Sequence, residues 1–305
     1  MEGTRKATQY DGPVAANYES RKQNPKWHRE HEIVAGMLGT GPVLDVPCGT
    51  GRFFELYESR GVEYTGLDVS GDMLKIAAKR CRNGSCGLGD VFDLSRFADG
   101  QFSQAVVIRL MQWLNPSELA NAMIQLARVS HEVVFSVRLG PEGHGHHYES
   151  YTHDEQRMMR RLAGLMVTDR QHVSHRLECD YWVYRARRVS YDDVEQQFND
   201  RPAGTIQHLV NEWAPRVGLE PAPVGRPSVR CEYWTAQQHR DMIEEQATFD
   251  PRARTTKPPR RDSGPITVVE RRGKRGMIDG RHRSEKRSHD TLGGVWPVLV
   301  VELGP

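Results

Sequence analysis

The chain has 305 residues, of which 37% are hydrophobic and 27% charged, a balance that excludes a fibrous or fully disordered protein and leaves room for about two domains with cores of their own. The formal net charge is +2, yet residues 251–290 hold thirteen Lys and Arg against five Asp and Glu, a local +8 that leaves about −6 for the remainder. No run approaches the ~18 apolar residues of a membrane span, the amino terminus lacks an apolar signal core, and the five cysteines form no CxxC pair. A cytoplasmic protein with reduced thiols, no metal and no membrane partner is expected.

The first predicted helix covers 26–38, where Trp27, Ile33, Val34, Met37 and Leu38 supply the apolar face. Val43 to Val46 reads as a strand, 52–60 as a helix, Tyr64 to Val69 as a strand and 71–81 as a helix. A strand over 104–108, a helix over 116–129 and a strand over 132–138 continue the alternation, which is the pattern of a parallel sheet covered on both faces. After a Gly/His-rich loop, 154–164 reads as a helix and 170–189 as two strands. Signals from 191 to 247 are weak and mainly helical, and 250–265 is a Pro/Arg-rich linker. The strands ITVVE and VWPVLVVEL then flank the segment IDGRHRSEKRS. The expected architecture is α/β, a Rossmann-like doubly wound sheet with a second, smaller α+β domain. Its boundaries fall at 1–190, 191–250 as a helical connecting region, and 251–305.

In VLDVPCGTGRF, residues 43–53, a buried strand runs into a turn holding Gly49 and Gly51, where backbone can approach a ligand that side chains would block. Alone, this turn also suits a dinucleotide or no ligand at all. Asp68 ends the next strand, in position to accept from both ribose hydroxyls, and Asp90 follows in GDVFDL. Singly, Asp45 and Asp68 read as well as residues that cap a turn or precede a helix. A nicotinamide cofactor is disfavoured because CGTGRF lacks the third glycine of GxGxxG.

Together, VLDVPCGTGRF, GLDVS and GDVFDL resemble the first three motifs of class I S-adenosylmethionine-dependent methyltransferases, a resemblance that covers residues ~10–190. It implies S-adenosyl-L-methionine as cofactor, with Asp45, Pro47, Gly49 and Gly51 at the methionine end, Asp68 and Val69 at the ribose, Asp90 with Val91 at the adenine, and Arg109 as a further cofactor-binding candidate. Pro47 stands where the family has its first glycine and removes a backbone donor. AANYESRKQNPKW resembles the helix that covers the cofactor, which makes Tyr10, Tyr18 and Arg21 candidates for the cap.

Methyl transfer from a sulfonium is a direct displacement that needs alignment and dryness rather than a protein nucleophile. VVIRLMQWLNP after the fourth strand has neither the Asn/Asp-Pro-Pro-aromatic loop of adenine methyltransferases nor the Pro-Cys of cytosine-C5 enzymes. It looks more like methyltransferases of small molecules or of tRNA and rRNA, with Arg109, Gln112 and Trp113 toward the acceptor. Catalytic candidates are Arg109 and Trp113 after that strand, and His147 and His153 in the next loop, which also holds His144, His146 and Tyr148; for any single histidine a solvated loop residue is the plainer reading.

Residues 266–301 resemble the ParB/sulfiredoxin-like nucleotide-binding fold, which implies phosphate binding by Gly280, Arg281, His282 and Arg283 after Asp279, with a nucleotide or nucleic acid as partner. A basic hairpin with solvated charges is the plainer reading. The whole chain is then expected to be a methyltransferase with a phosphate-binding module, or, from a different class, a non-catalytic S-adenosylmethionine-binding protein with the same tail.

Overall fold

The computed structural model describes residues 10–144, 150–159, 161–162, 164–176, 179–199, 206–214, 227–249, 266–279 and 295–303. Two compact units divide the chain, Met1–Arg188 and Val189–Pro305.

The first unit opens with a short helix, α1 (Pro13–Asn17), a 3-10 turn over Tyr18–Gln23, and α2 (Pro25–Met37). Asn24 starts α2 by accepting from the Lys26 amide, and Pro25 at the first position costs no hydrogen bond. Then follow β1 (Val43–Asp45), α3 (Phe54–Ser59), β2 (Tyr64–Asp68), α4 (Gly71–Ala77), β3 (Ser85–Leu88), β4 (Phe102–Val107), α5 (Pro116–Val129) and β5 (Ser130–Leu139). The unit closes with α6 (Glu155–Met159) and the pair β6 (Leu165–Arg176) and β7 (Cys179–Arg188). α5 has the predicted bounds, fixed by a capping box between Asn115 and Glu118.

The seven strands lie in the order β3-β2-β1-β4-β5-β7-β6. β1 to β5 are parallel, and β7 runs antiparallel to both β5 and β6. The order turns back between β1 and β4, which opens a crevice at the carboxyl ends of the strands. Beneath it Val43, Phe54, Tyr57, Tyr64, Val106 and Val134 form a dry core. Predicted and observed boundaries differ by up to five residues at strand and helix ends, most at α6, which stops at Met159, and at β6, which starts at Leu165, and β3 is a strand that the sequence reading did not place.

The second unit contains α7 (Tyr191–Asn199), α8 (Ile206–Trp213), β8 (Ser228–Thr235), α9 (Ala236–Phe249), β9 (Ile266–Arg271), β10 (Lys274–Asp279) and β11 (Val295–Glu302). Its sheet has the order β8-β11-β9-β10, with β11 parallel to β9 and antiparallel to β8. Alternation along the strands serves two faces: Val269, Leu299 and Val301 pack with Val194, Ile206 and Val210, whereas Val268, Val298 and Val300 pack with Trp234 and Met242. β9 and β10 are joined by Arg272 and Gly273, both at positive φ (51° and 74°), the signature of a tight hairpin turn.

Two expectations change here. Residues 191–250, expected as a helical connection, also supply β8, an edge strand that pairs along its whole length with β11. β10 is a strand where only a charged segment was read. The basic surplus is also partly consumed within the unit, since Arg275 pairs with Glu232 and Glu270, and Arg230 with Glu232, Glu270 and Glu302. The expected phosphate residues Gly280, Arg281, His282 and Arg283 lie outside the described residues.

Candidate active site

The crevice at the turning point of the sheet is walled by residues that follow each central strand in turn: Pro47, Cys48, Gly49 and Arg52 after β1, Asp68 and Val69 at β2, Asp90 and Val91 after β3, Arg109, Gln112 and Trp113 after β4, and Arg138 on β5. Tyr10 and Tyr18 contribute from the amino-terminal segment.

Asp68 ties two walls together. One of its oxygens accepts from the Gly49 amide at 2.8 Å and the other from the Ser70 amide at 2.9 Å. Gly49 sits at φ 55°, where only glycine is unstrained, so the loop can bring its amide to the carboxylate and still leave backbone facing the cleft. Burial raises the Asp68 pKa, against the backbone hydrogen bonds that lower it. Asp90 makes an Asx turn to the Phe92 amide at 3.0 Å and presents Val91, which is buried.

The amino-terminal segment is pinned over α4. The Gly12 amide donates to Asp72 at 2.9 Å, and the Ser70 hydroxyl donates to Asp11 at 2.6 Å. Edge-to-face contacts then run from Trp113 through Tyr10 and Tyr18 to Trp27, with centroid separations of 6.4, 6.2 and 5.6 Å.

The side of the cleft toward β4 and β5 rests on a buried ionic network that sequence reasoning missed. Glu30, fully buried on α2, accepts from both Arg52 and Arg109, the latter at 2.9 Å. The Arg52 guanidinium also donates to the Trp27 carbonyl at 2.6 Å and lies 3.9 Å above the Trp27 ring. Tyr181 on β7 donates to Glu30 at 2.5 Å and sits 2.6 Å from the Ser136 hydroxyl, which accepts from the Arg109 amide at 2.7 Å. Arg109 is held at φ 64°, a strained conformation for a side chain of this size, by these bonds at both its ends. The available signal was a carboxylate within an apolar stripe: Trp27, Glu30, Val34 and Met37 share one buried helix face.

Three sequence expectations are corrected. Asp45 is not among the residues lining the cleft: it ends β1 facing the core, 1% exposed, and burial holds its pKa well above the carboxylate range. Gly51 does not line the cleft either; at φ 75°, where a side-chain methyl group would lie only 2.7 Å from the Phe54 ring, it is glycine because α3 packs there. His153 does not line the cleft: it is fully buried behind the 111–114 segment, its Nε2 donating to the Met111 carbonyl at 3.0 Å. The Arg21 side chain, His146, His147 and Tyr148 lie outside the described residues, and His144 contacts Tyr151 rather than the cleft.

Burial lowers the His153 pKa below 6.5, so the native protein keeps it neutral while the unfolded chain protonates it. Its contribution to stability is complete above about pH 6.5 and is lost as pH falls below that value. Between pH 7.5 and 5.5 the parent should lose more stability than His153→Gln, read from urea unfolding at both pH values. Equal losses would place this histidine in a protonatable setting.

The architecture matches known structures. The chain superposes on magnesium protoporphyrin IX methyltransferase from Synechocystis PCC 6803 with a TM-score of 0.52 at 14% identity, over 61% of this chain and 99% of that one. The first unit has the methyltransferase fold. Residues 43–132, from β1 to β5, match the family model described as a methyltransferase domain. The chain is 36% identical over 72 residues to 18S rRNA (guanine-N(7))-methyltransferase from Bos taurus, covering 24% of this chain and 26% of the relative. It is 32% identical over 127 residues to demethylmenaquinone methyltransferase from Renibacterium salmoninarum, covering 41% and 50%. The chain thus spans between a quarter and half of the length of these curated relatives. Among the described residues no helix is long and apolar enough to cross a membrane.

Proposed function

We propose that the first unit binds S-adenosyl-L-methionine in the cleft and transfers its methyl group to an acceptor held on the β4–β5 side. The observation that carries this reading is Asp68, a carboxylate at the end of β2 in the cleft wall, tied to the positive-φ loop at Gly49. Such a pair suits a ribose and a backbone-lined neighbour, with Val69, Asp90 and Val91 toward the adenine and Pro47 and Gly49 toward the methionine. Tyr18 covers the cleft. When bound, the cofactor supplies a sulfonium methyl carbon: the acceptor's lone pair bonds to it as the carbon–sulfur bond breaks and leaves a neutral thioether. The chain's own residues align the partners and exclude water. Arg109 and Trp113 take acceptor-side roles in this reading.

The relatives named above act on rRNA and on a menaquinone precursor, so both nucleic-acid and small-molecule acceptors fall within the proposal. The test is turnover: formation of S-adenosylhomocysteine with either acceptor class supports the enzyme reading. Tight cofactor binding without turnover on any of them supports a non-catalytic S-adenosylmethionine-binding protein instead.

The proposal extends to the second unit as a ParB/sulfiredoxin-like module whose segment Gly280, Arg281, His282 and Arg283 binds phosphate of a nucleotide or nucleic acid. In its favour stand the sequence of that segment and its position directly after β10. Replacing Arg281 and Arg283 together by Gln should weaken ATP or DNA binding about tenfold or more in filter assays. Unchanged retention of both would reduce the segment to a solvated basic loop.

A further inference from the structure

The charged groups of the cleft are sorted by strand. Its acids, Asp68 and Asp90, follow β2 and β3, on one side of β1. Two of its cations, Arg109 and Arg138, follow β4 and β5 on the other side, and Arg52 lies after β1 between them. Three strand spacings, about 14 Å, separate β2 from β5. Arg52 and Arg109 share a single carboxylate, Glu30, so among the described residues this side carries three guanidinium charges against one acid.

Arg138 differs from the other two. It is half-buried in the cleft wall, and among the described residues no acid pairs with it, whereas the Glu30 network uses its neighbours on the same sheet face. Ser136, two positions earlier on β5, and Tyr181, directly opposite on β7, both point to that face and are joined to each other at 2.6 Å. Arg138 is therefore displayed by the β5–β7 ladder in the cleft wall, with no carboxylate paired to it among the described residues. A half-buried guanidinium without a partner is costly unless a ligand supplies the anion.

We infer that Arg138 recognises a carboxylate on a small-molecule acceptor, so that the protein's acceptors are small organic acids held between Arg138 and the aromatic residues Tyr10 and Trp113. This deepens the methyltransferase reading and rests on it. The carboxylate is a recognition handle, and the cofactor's own carboxylate is left to Arg52, nearer β1. A planar fixed donor array favours this geometry, because a guanidinium meets a carboxylate through two parallel hydrogen bonds.

The test uses the full chain saturated with S-adenosylhomocysteine and titrated with acetate, benzoate and indole-3-acetate, each beside its amide. At least one acid should bind while its amide binds tenfold more weakly or not at all, and Arg138→Gln should weaken that acid about tenfold or more. Affinity of Arg138→Gln for S-adenosylhomocysteine should stay within twofold of the parent, which also certifies the fold of the variant. Equal binding of acids and amides, binding of none of the acids, or full acid affinity in Arg138→Gln would overturn the inference. Loss of S-adenosylhomocysteine affinity in Arg138→Gln would instead assign this arginine to the cofactor's carboxylate and overturn it as well. Failure of the parent to bind S-adenosylhomocysteine sinks the underlying reading and is seen before any acid is added.

Discussion

Replacing Asp68 by Ala should lower affinity for S-adenosylmethionine about a hundredfold, or ~2.7 kcal/mol, in calorimetric titration. Two effects combine. The variant removes the carboxylate that faces a ribose at the end of β2, and it also releases the Gly49 amide and with it the loop after β1. Asn at the same place keeps an acceptor for the Gly49 amide while giving up the charge, so Asp68→Asn should lose about tenfold. The burial that raises the Asp68 pKa adds a pH signature: affinity should fall with acid at a higher pH than an ordinary carboxylate would give, and this dependence should vanish in Asp68→Asn. If Asp68→Ala binds like the parent, the ribose is held elsewhere.

The largest loss of stability is expected from Glu30→Ala. The carboxylate is fully buried and serves Arg52, Arg109 and the Tyr181 hydroxyl at once. Without it two guanidiniums face each other with no carboxylate between them, and the Tyr181 hydroxyl keeps only Ser136 as a partner. Removing one partner of a buried ionic group costs about 3–5 kcal/mol, which for a unit of this size lowers the thermal midpoint by roughly 10 °C. Glu30→Gln, which preserves an acceptor without the charge, should fall between parent and Ala. Because the network also fixes the strained Arg109 backbone in the cleft wall, both variants should weaken cofactor binding under conditions where they remain folded. A midpoint within a degree of the parent for Glu30→Ala would mean that the network is solvated rather than buried.

These two residues mark the boundary of what the amino-acid sequence discloses. Asp68 and Gly49 could be placed in the cleft wall from sequence because each lies at or just after a strand end and its neighbours along the chain announce its environment: a β run, then a glycine or an acid, then a helix. The alternation of strands and helices through β5 was legible for the same reason, except for β3, where SCGL is too short and weakly apolar to signal a strand, and α5 was legible from its capping box. Glu30 was not, because its partners stand 22, 79 and 151 positions away and only the closed sheet brings them together. The signal it did leave, a carboxylate on the apolar face of α2, says that something must neutralise it but not what.

Gly51 shows the reverse case. A glycine in a cofactor-type turn reads as a place for backbone to approach a ligand, whereas here the Phe54 ring occupies the space and local packing alone demands the residue. In the second unit, β8 and β10 escaped notice because both are edge strands. SVRCEYWT and KRGMID carry charged residues that pair across the sheet, Arg230 and Arg275 with Glu232 and Glu270, so their hydrophobic periodicity is diluted.

The central claim is that the cleft at the turning point of the first sheet is a site for S-adenosylmethionine. The most direct measurement is calorimetric titration of the unaltered full chain with that cofactor. Saturable binding of one equivalent is the predicted result. No saturable binding at about millimolar cofactor, which corresponds to less than about 4 kcal/mol of affinity, would contradict it.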